Sequence, residues 1–239
     1  MISIIITNYN KSSYLLKNLE RCRDQFYQKF EVIFFDDSST DNSIKIVKKF
    51  IKKNKKIKIR ILIRKGKKFT NNCYNQMSAI NYCTKYASGE YIALLDADDF
   101  FLKSKLKILN NAISKTKKKI LYNSYTILKN KKYFPNRRHF LKRKFIWPIF
   151  PPTSCITVEK KLFKEALKKI SFKKYPTCWL DFRLAVYFSK YYSQEIIYLK
   201  KKLTIYRKNE EGNDSNYTNI FFYSYWKRKL EAIILNIKI

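Results

Sequence analysis

The segment Gly89-Glu90-Tyr91-Ile92-Ala93-Leu94-Leu95-Asp96-Ala97-Asp98-Asp99 places the tightest limit on the fold. An apolar run of strand length stops abruptly in three carboxylates. Such a run reads as a strand buried on both faces, the environment of a parallel sheet. Charges at its end cannot enter that core unless paired or bound to a metal. Open α/β sheets bind ligands at the carboxyl ends of their strands. Asp96 and Asp98 therefore stand where a divalent cation could hold a phosphate. The competing reading is an acidic loop that is merely solvated.

The residues before this segment repeat a strand-then-helix pattern. Ile2–Thr7 predicts a buried strand, Tyr14–Arg23 a helix capped by Ser12 or Ser13, and Glu31–Phe35 a second strand. Ser38-Ser39-Thr40-Asp41 offers caps for a helix running to about Ile51. On it Ile44, Val47 and Ile51 share one face, while Lys45, Lys48, Lys49 and Lys52 share another that is most simply solvated. Ile57–Ile63, Asn72–Tyr86 and Tyr91–Leu95 predict a third strand, a helix and a fourth strand. Right-handed crossovers between parallel strands follow. The expected fold class is α/β: a Rossmann-like, mostly parallel sheet with helices on both faces. No Gly-X-Gly-X-X-Gly follows any strand, so a dinucleotide coenzyme is not expected.

Beyond residue 100 the pattern is less regular. Helices are expected at Lys103–Ser114, Lys160–Lys169 and Asp181–Tyr191, and strands at Ile120–Leu128, Ser154–Val158 and Ile196–Tyr206. Lys129–Phe150 is basic and aromatic and reads as a loop. In the tail, residues 219–239, Phe222, Trp226, Leu230, Ile233, Ile234 and Ile237 lie on one helical face. Packing of that face onto the domain is the favoured reading, and an interfacial helix at a lipid surface is the alternative.

A chain of 239 residues suits one domain with a small appendage. Its 52 basic against 18 acidic side chains give a formal charge of +34, a field that attracts nucleotides, nucleic acid or anionic lipid. An AT-rich genome would supply many of the lysines without any binding role. Five cysteines with no zinc or CxxC spacing read as free thiols of a reducing compartment. Met1 runs straight into an apolar strand and no run is long enough to span a bilayer. A cytoplasmic location is expected, with a peripheral position on the inner face of the cell membrane as an option.

Several residues suit the chemistry of transfer from a sugar nucleotide. A departing diphosphate needs a cation, a base needs a polar group at a strand end, and an incoming hydroxyl needs a general base. Thr7-Asn8-Tyr9-Asn10 closes the first strand, where Tyr9 could stack on a base or simply form a turn. Asp36-Asp37 closes the second, where a carboxylate could accept the imide N–H of uracil or cap a helix. Asp181 in Trp179-Leu180-Asp181-Phe182-Arg183 has apolar neighbours that would raise its pKa toward that of a base; an N-cap or ion pair is the alternative. His139, the one histidine, falls in a basic stretch expected to be solvated.

Taken in order, Ile4-Ile5-Ile6-Thr7-Asn8-Tyr9-Asn10, Val32–Asp41, Asn81 and Ala87–Asp99 resemble the GT-A glycosyltransferases of family 2. These are inverting enzymes that build bacterial surface polysaccharides. The resemblance covers roughly the first hundred residues. It implies that Thr7, Tyr9, Asp37 and Asp96 bind the nucleotide, Asp98 a metal (Mn²⁺ or Mg²⁺), and that Asp181 is the base. The implied donor is a nucleotide-sugar, usually of uridine, and the implied acceptor a saccharide or a lipid-linked one. Residues 1–100 would form the donor half, 101–215 the acceptor half and 216–239 an amphipathic helix. Leu180 stands where many members have an acid, and Asn209 where many have a His. Lys67, Lys68 and Arg207 are candidate phosphate contacts. A binding or scaffold protein derived from such an enzyme is the alternative. A nucleic-acid module is disfavoured by acids at the strand ends, which would repel a phosphate backbone.

Overall fold

The computed structural model describes residues 1–66, 68–69, 71–135, 150–170, 174–208 and 221–238. Strands β1 (Ile2–Asn8), β2 (Phe30–Asp36), β3 (Ile59–Ile63) and β4 (Tyr91–Asp96) alternate with helices α1 (Ser12–Arg23), α2 (Ser43–Lys53) and α3 (Asn72–Thr84). They pair in parallel in the order β3-β2-β1-β4. After β4 come the short β5 (Phe100–Phe101), α4 (Lys105–Thr116), β6 (Ile120–Lys129), β7 (Lys132–Pro135), β8 (Ile156–Glu159), α5 (Lys160–Lys169), α6 (Leu180–Tyr191), β9 (Ile196–Arg207) and α7 (Tyr223–Lys238). β8 joins β4 antiparallel, and the same sheet continues through β6 and β9 to β5.

The strands of the parallel half are apolar on both faces because both are covered. Ile5, Ile33, Phe35, Ile92 and Leu94 point to one side and pack with residues of α3, α5 and α6. Ile4, Ile6, Val32, Phe34 and Leu95 point to the other, against Leu15 and Leu19 of α1, Val47 and Phe50 of α2, and Leu106 and Leu109 of α4. Alternation along each strand thus divides one apolar run between two cores.

Three local expectations change. Neither Ser12 nor Ser13 caps α1; the Ser12 N–H donates instead to Asp41 Oδ2 at 2.9 Å, from the loop ahead of α2. The stretch from Lys129 does not begin as a loop, because β6 turns directly into β7, with Lys129 opposite Lys132. Asn130 and Lys131 both adopt positive φ (50° and 60°), the twist of a two-residue hairpin turn. β5, only two residues long, had no sequence signal. Residues 136–149, with His139, lie outside the described residues.

The amino ends of the parallel strands are closed by a buried carboxylate. Glu31, 4% exposed, accepts hydrogen bonds from Ser3 Oγ (2.7 Å), Ser88 N (2.6 Å) and Ser88 Oγ (2.6 Å). Gly89 is required beside it, since a Cβ there would meet Ser3 N at 2.6 Å. Burial pushes the Glu31 carboxyl up, but the Ser88 and Ser3 bonds outweigh it and leave the group below its ordinary 4.5. A depressed carboxylate contributes stability that is present above its unfolded value and lost as pH falls through the folded one. Glu31→Gln should therefore lose about 1–3 kcal/mol at neutral pH and show a flatter acid limb in unfolding free energy measured from pH 7 down to about 3.

Candidate active site

The chain steps from β1 outward through β2 and β3, then returns to the other side of β1 as β4, so the crossover direction reverses between β1 and β4. At such a switch point the strand ends open a crevice. In register, Asn8 lies opposite Asp36 and Thr7 opposite Asp96. With strands about 4.8 Å apart, the backbones of Asp36 and Asp96 are about 10 Å apart across β1. Asp37 and Asp98 follow them at this edge.

The first two loops are tied to each other. Asp36, 1% exposed, accepts Asn8 Nδ2 (2.8 Å), Ser39 N (2.8 Å) and Ser39 Oγ (2.7 Å), so it serves the fold. Asn10 and Ser38 take left-handed φ values of 50° and 58°, and Asn10 Oδ1 accepts Thr40 N at 2.8 Å. Asp41 accepts both Ser12 N and Ser43 N, bridging the starts of α1 and α2. Burial raises its pKa, but the Ser43 and Ser12 bonds win and leave it lowered.

Asp37 is turned the other way, to Arg64 just past β3, whose Nε donates to its Oδ1. Arg64 is itself held by Ser78 Oγ and the Asn75 carbonyl, with its guanidinium over Phe35. Tyr9 is 46% exposed, and Lys68 Nζ sits 3.1 Å from its ring centroid. This is a cation–π contact on the ring expected to meet a base.

The turn Asp96–Asp99 gathers negative charge in a largely dry place. Burial and the charges of Asp98 and Asp181 push the Asp96 carboxyl up to about 8, against the Gln76 Nε2 bond at 2.6 Å. Burial, then Asp98 and Asp96, push Asp99 well above the usual carboxylate range. Asp99 is wholly spoken for: Oδ2 accepts Ser154 Oγ (2.5 Å) and Oδ1 accepts Arg207 N (2.7 Å). Ser154 Oγ in turn accepts Asp96 N (3.0 Å), and Arg207 Nε donates to the Asp98 carbonyl (2.9 Å). From α1, Asn18 Nδ2 donates to the carbonyls of Asp96 (3.1 Å) and Asp99 (2.8 Å). Asp98 keeps a partly exposed carboxylate, with Lys11 Nζ at 3.4 Å.

Asp181 enters from the second half, in the first turn of α6, where its Oδ1 accepts Phe182 N at 2.8 Å. Its charge reaches both Asp96 and the buried Tyr122, whose hydroxyl has no hydrogen-bond partner among the described residues. The approach to this turn is clamped by α7: Glu231 Oε2 accepts Thr177 N (2.8 Å) and Thr177 Oγ1 (2.6 Å), and the Arg228 guanidinium lies 4.3 Å from the Trp179 ring centroid.

The charges of Asp98 and Asp181 thus both act on Asp96, while Thr7, Tyr9 and Asp37 stand at or just past the ends of β1 and β2, and Lys68 reaches Tyr9 from the loop between β3 and α3. Arg207 sits behind Asp98 with its guanidinium over Tyr14, 4.6 Å from the ring centroid. Lys67 lies outside the described residues. Arg64, Lys11, Gln76, Asn18 and Ser154 were missed. Arg64 alone had a local signal, as the first residue past a strand run. The others reach the site only through tertiary contacts.

A divalent cation fits this chemistry. Among the described residues no three His, Cys, Asp or Glu side chains form a ready-made cage. Mg²⁺ and Mn²⁺ sites that complete themselves with substrate phosphates need only one or two carboxylates. Asp98 and Asp96 are the carboxylates that would hold such a cation, which would offset the like charge around Asp96.

Known structures share this fold. TarS of S. aureus, solved with UDP-GlcNAc, aligns with TM-score 0.71 at 21% identity, covering 99% of this chain and 66% of that one. The mannosyltransferase PcManGT from Pyrobaculum calidifontis, solved with GDP-Man and Mn²⁺, aligns with TM-score 0.62 at 15% identity, covering 90% and 59%. At these identities the likeness is one of fold, and that fold is the GT-A type of glycosyltransferases. The chain belongs to glycosyl transferase family 2, whose profile matches residues 3–185. Over 107 residues it is 38% identical to an uncharacterized glycosyltransferase of Haemophilus influenzae, 45% of this chain and 40% of that protein. Over 130 residues it is 33% identical to the UDP-Glc:alpha-D-GlcNAc-diphosphoundecaprenol beta-1,3-glucosyltransferase WfaP of Escherichia coli, 54% of this chain and 48% of that protein. The chain matches less than half the length of either relative.

Asn18→Ala strips donors from two carbonyls of the acidic turn. It should cost about 1–3 kcal/mol in denaturant unfolding.

Proposed function

We propose that this chain transfers a sugar from a UDP-sugar to a hydroxyl of a saccharide or lipid-linked acceptor, with inversion. The observation that supports this is that the charges of Asp98 and Asp181 both act on Asp96 at the end of β4, with Asp37, just past the end of β2, paired to Arg64. Support for the donor comes from the UDP-GlcNAc bound to TarS, and for a lipid-linked acceptor from the diphosphoundecaprenol substrate in the name of WfaP.

In this mechanism Asp37, oriented by Arg64, accepts the imide N–H of uracil through the oxygen that Arg64 leaves. Tyr9 stacks on the base. Lys11, Lys68 and Arg207 bring positive charge to the diphosphate side. Asp98, with Asp96, would hold Mn²⁺ or Mg²⁺, which when bound neutralises charge on the diphosphate. Asp181 accepts the proton of the acceptor hydroxyl as its oxygen attacks the anomeric carbon in line.

Asp181→Asn should lower kcat by about 10²–10⁴-fold, the worth of a general base, while a UDP-sugar still raises the unfolding temperature. Asp98→Ala should abolish metal-stimulated release of UDP; undiminished release would falsify the assignment. A second reading, a donor-binding protein without transfer, is favoured by Lys11, a fixed ammonium already beside Asp98. It requires UDP-sugar binding that Mn²⁺ does not strengthen, and no UDP release with any acceptor.

A further inference from the structure

The C-terminal helix has two contrasting faces, and the fold uses the less expected one. Arg228, Glu231, Ala232 and Leu235 of α7 are 8% exposed or less. Ala232 and Leu235 pack on Cys178, Phe182 and Val186, while Arg228 and Glu231 hold Trp179 and Thr177. The apolar stripe favoured for packing faces outward instead. Phe222, just ahead of the helix, then Trp226, Leu230, Ile233 and Ile237 are between 44% and 68% exposed.

At about 100° per residue these five side chains fall within an arc of roughly 80°. On the same wheel Lys229 borders one edge of that arc, and Lys227 lies about 60° beyond the other, past Ile234. Phe221 and Tyr223 extend the patch at its start, at 87% and 78% exposed. A continuous apolar stripe of this kind, edged by long cationic side chains, marks a surface that meets something less polar than water. The formal charge of +34 sets a second copy of the chain against itself and draws the stripe toward an anionic surface.

We propose that α7 docks this protein on an anionic phospholipid bilayer. The stripe from Phe222 to Ile237 lies among the upper acyl chains, with Lys227 and Lys229 at the headgroup phosphates. Among the described residues no helix is long and apolar enough to cross a membrane, so this contact is in-plane. The buried face of the same helix is fixed to the segment that leads into Asp181. The bilayer then lies about one helix diameter, roughly 10 Å, from the segment that leads into Asp181. That consequence rests on the transfer reading above; the docking itself does not.

Co-sedimentation of the whole chain with vesicles tests the proposal, comparing phosphatidylcholine alone with an equal mixture of phosphatidylcholine and phosphatidylglycerol. Trp226→Gln with Leu230→Gln leaves net charge unchanged and touches only exposed positions. It should weaken partitioning onto the mixed vesicles by about tenfold or more. The difference should persist in about 1 M salt, where the Debye length is about 3 Å. Lys48→Glu with Lys52→Glu, on the exposed face of α2, removes charge elsewhere and should leave the high-salt binding in place. The unfolding temperature and its shift with a UDP-sugar should match the unmodified protein in both variants, which separates this test from that of donor binding. If a variant unfolds, quenching of the unmodified protein's tryptophan fluorescence by lipids brominated in their acyl chains decides the matter, and its absence overturns the proposal. Equal vesicle binding by the stripe variant reduces the effect to general charge and overturns it too. So does a dimer of the unmodified chain that the stripe variant abolishes without any change in vesicle binding.

Discussion

The rest of the structure depends on how the turn from Asp96 to Asp99 is held. Three carboxylates within four residues, in a largely water-excluded place, repel one another and resist burial. The fold meets this with neutral donors rather than with a close ring of counter-charges. Asn18 takes two carbonyls, Ser154 bridges Asp96 and Asp99, and the Arg207 backbone satisfies the other Asp99 oxygen. Lys105, buried behind them, donates to the Ser154 carbonyl, and its pKa is pulled by burial to about 7. The turn is fixed in position while its charge stays incompletely answered.

The two ends of the parallel sheet differ on this point. At the amino end Glu31 is surrounded by hydroxyls and amides that favour its ionised form. At the carboxyl end Asp96 is left raised, and among the described residues Asp98 pairs with Lys11 and the Tyr122 hydroxyl has no partner. The same chemical groups are saturated where they close the sheet and left incompletely answered at the candidate site. Asp36 and Asp37, adjacent in sequence, divide along the same line: one is consumed by the loop, the other is presented with an arginine at its side.

What the sequence made legible was the part governed by local pattern. β1, β2 and β4 were readable because apolar side chains fill both faces of a parallel strand, and the aspartates marked their ends. α6 and β9 were also read in place, as a helix over Asp181–Tyr191 and a strand over Ile196–Tyr206. Elements that exist only through distant partners were not. β5 is a strand because Phe100 and Phe101 pair with Ile205 and Thr204. The cap of α1 is supplied from Asp41, across a loop, a strand and a turn. For α7, periodicity identified the helix and its apolar stripe, but not the side that would be buried. That choice was made by Thr177, Trp179 and Cys73, which give Glu231 and Arg228 somewhere to go.

The pairing of β5 with β9 also sets an order of events. Asp99 accepts its second hydrogen bond from the backbone of Arg207, and Phe101 faces Thr204, across more than a hundred residues of intervening chain. During synthesis the acidic turn leaves the ribosome long before the strand that braces it. Until that strand arrives the nascent chain carries this acidic loop without its brace, so the turn is completed late, at a long-range closure that is slow by nature. The emergence of β9, rather than of the strands that precede it, governs when a nascent copy can complete this turn.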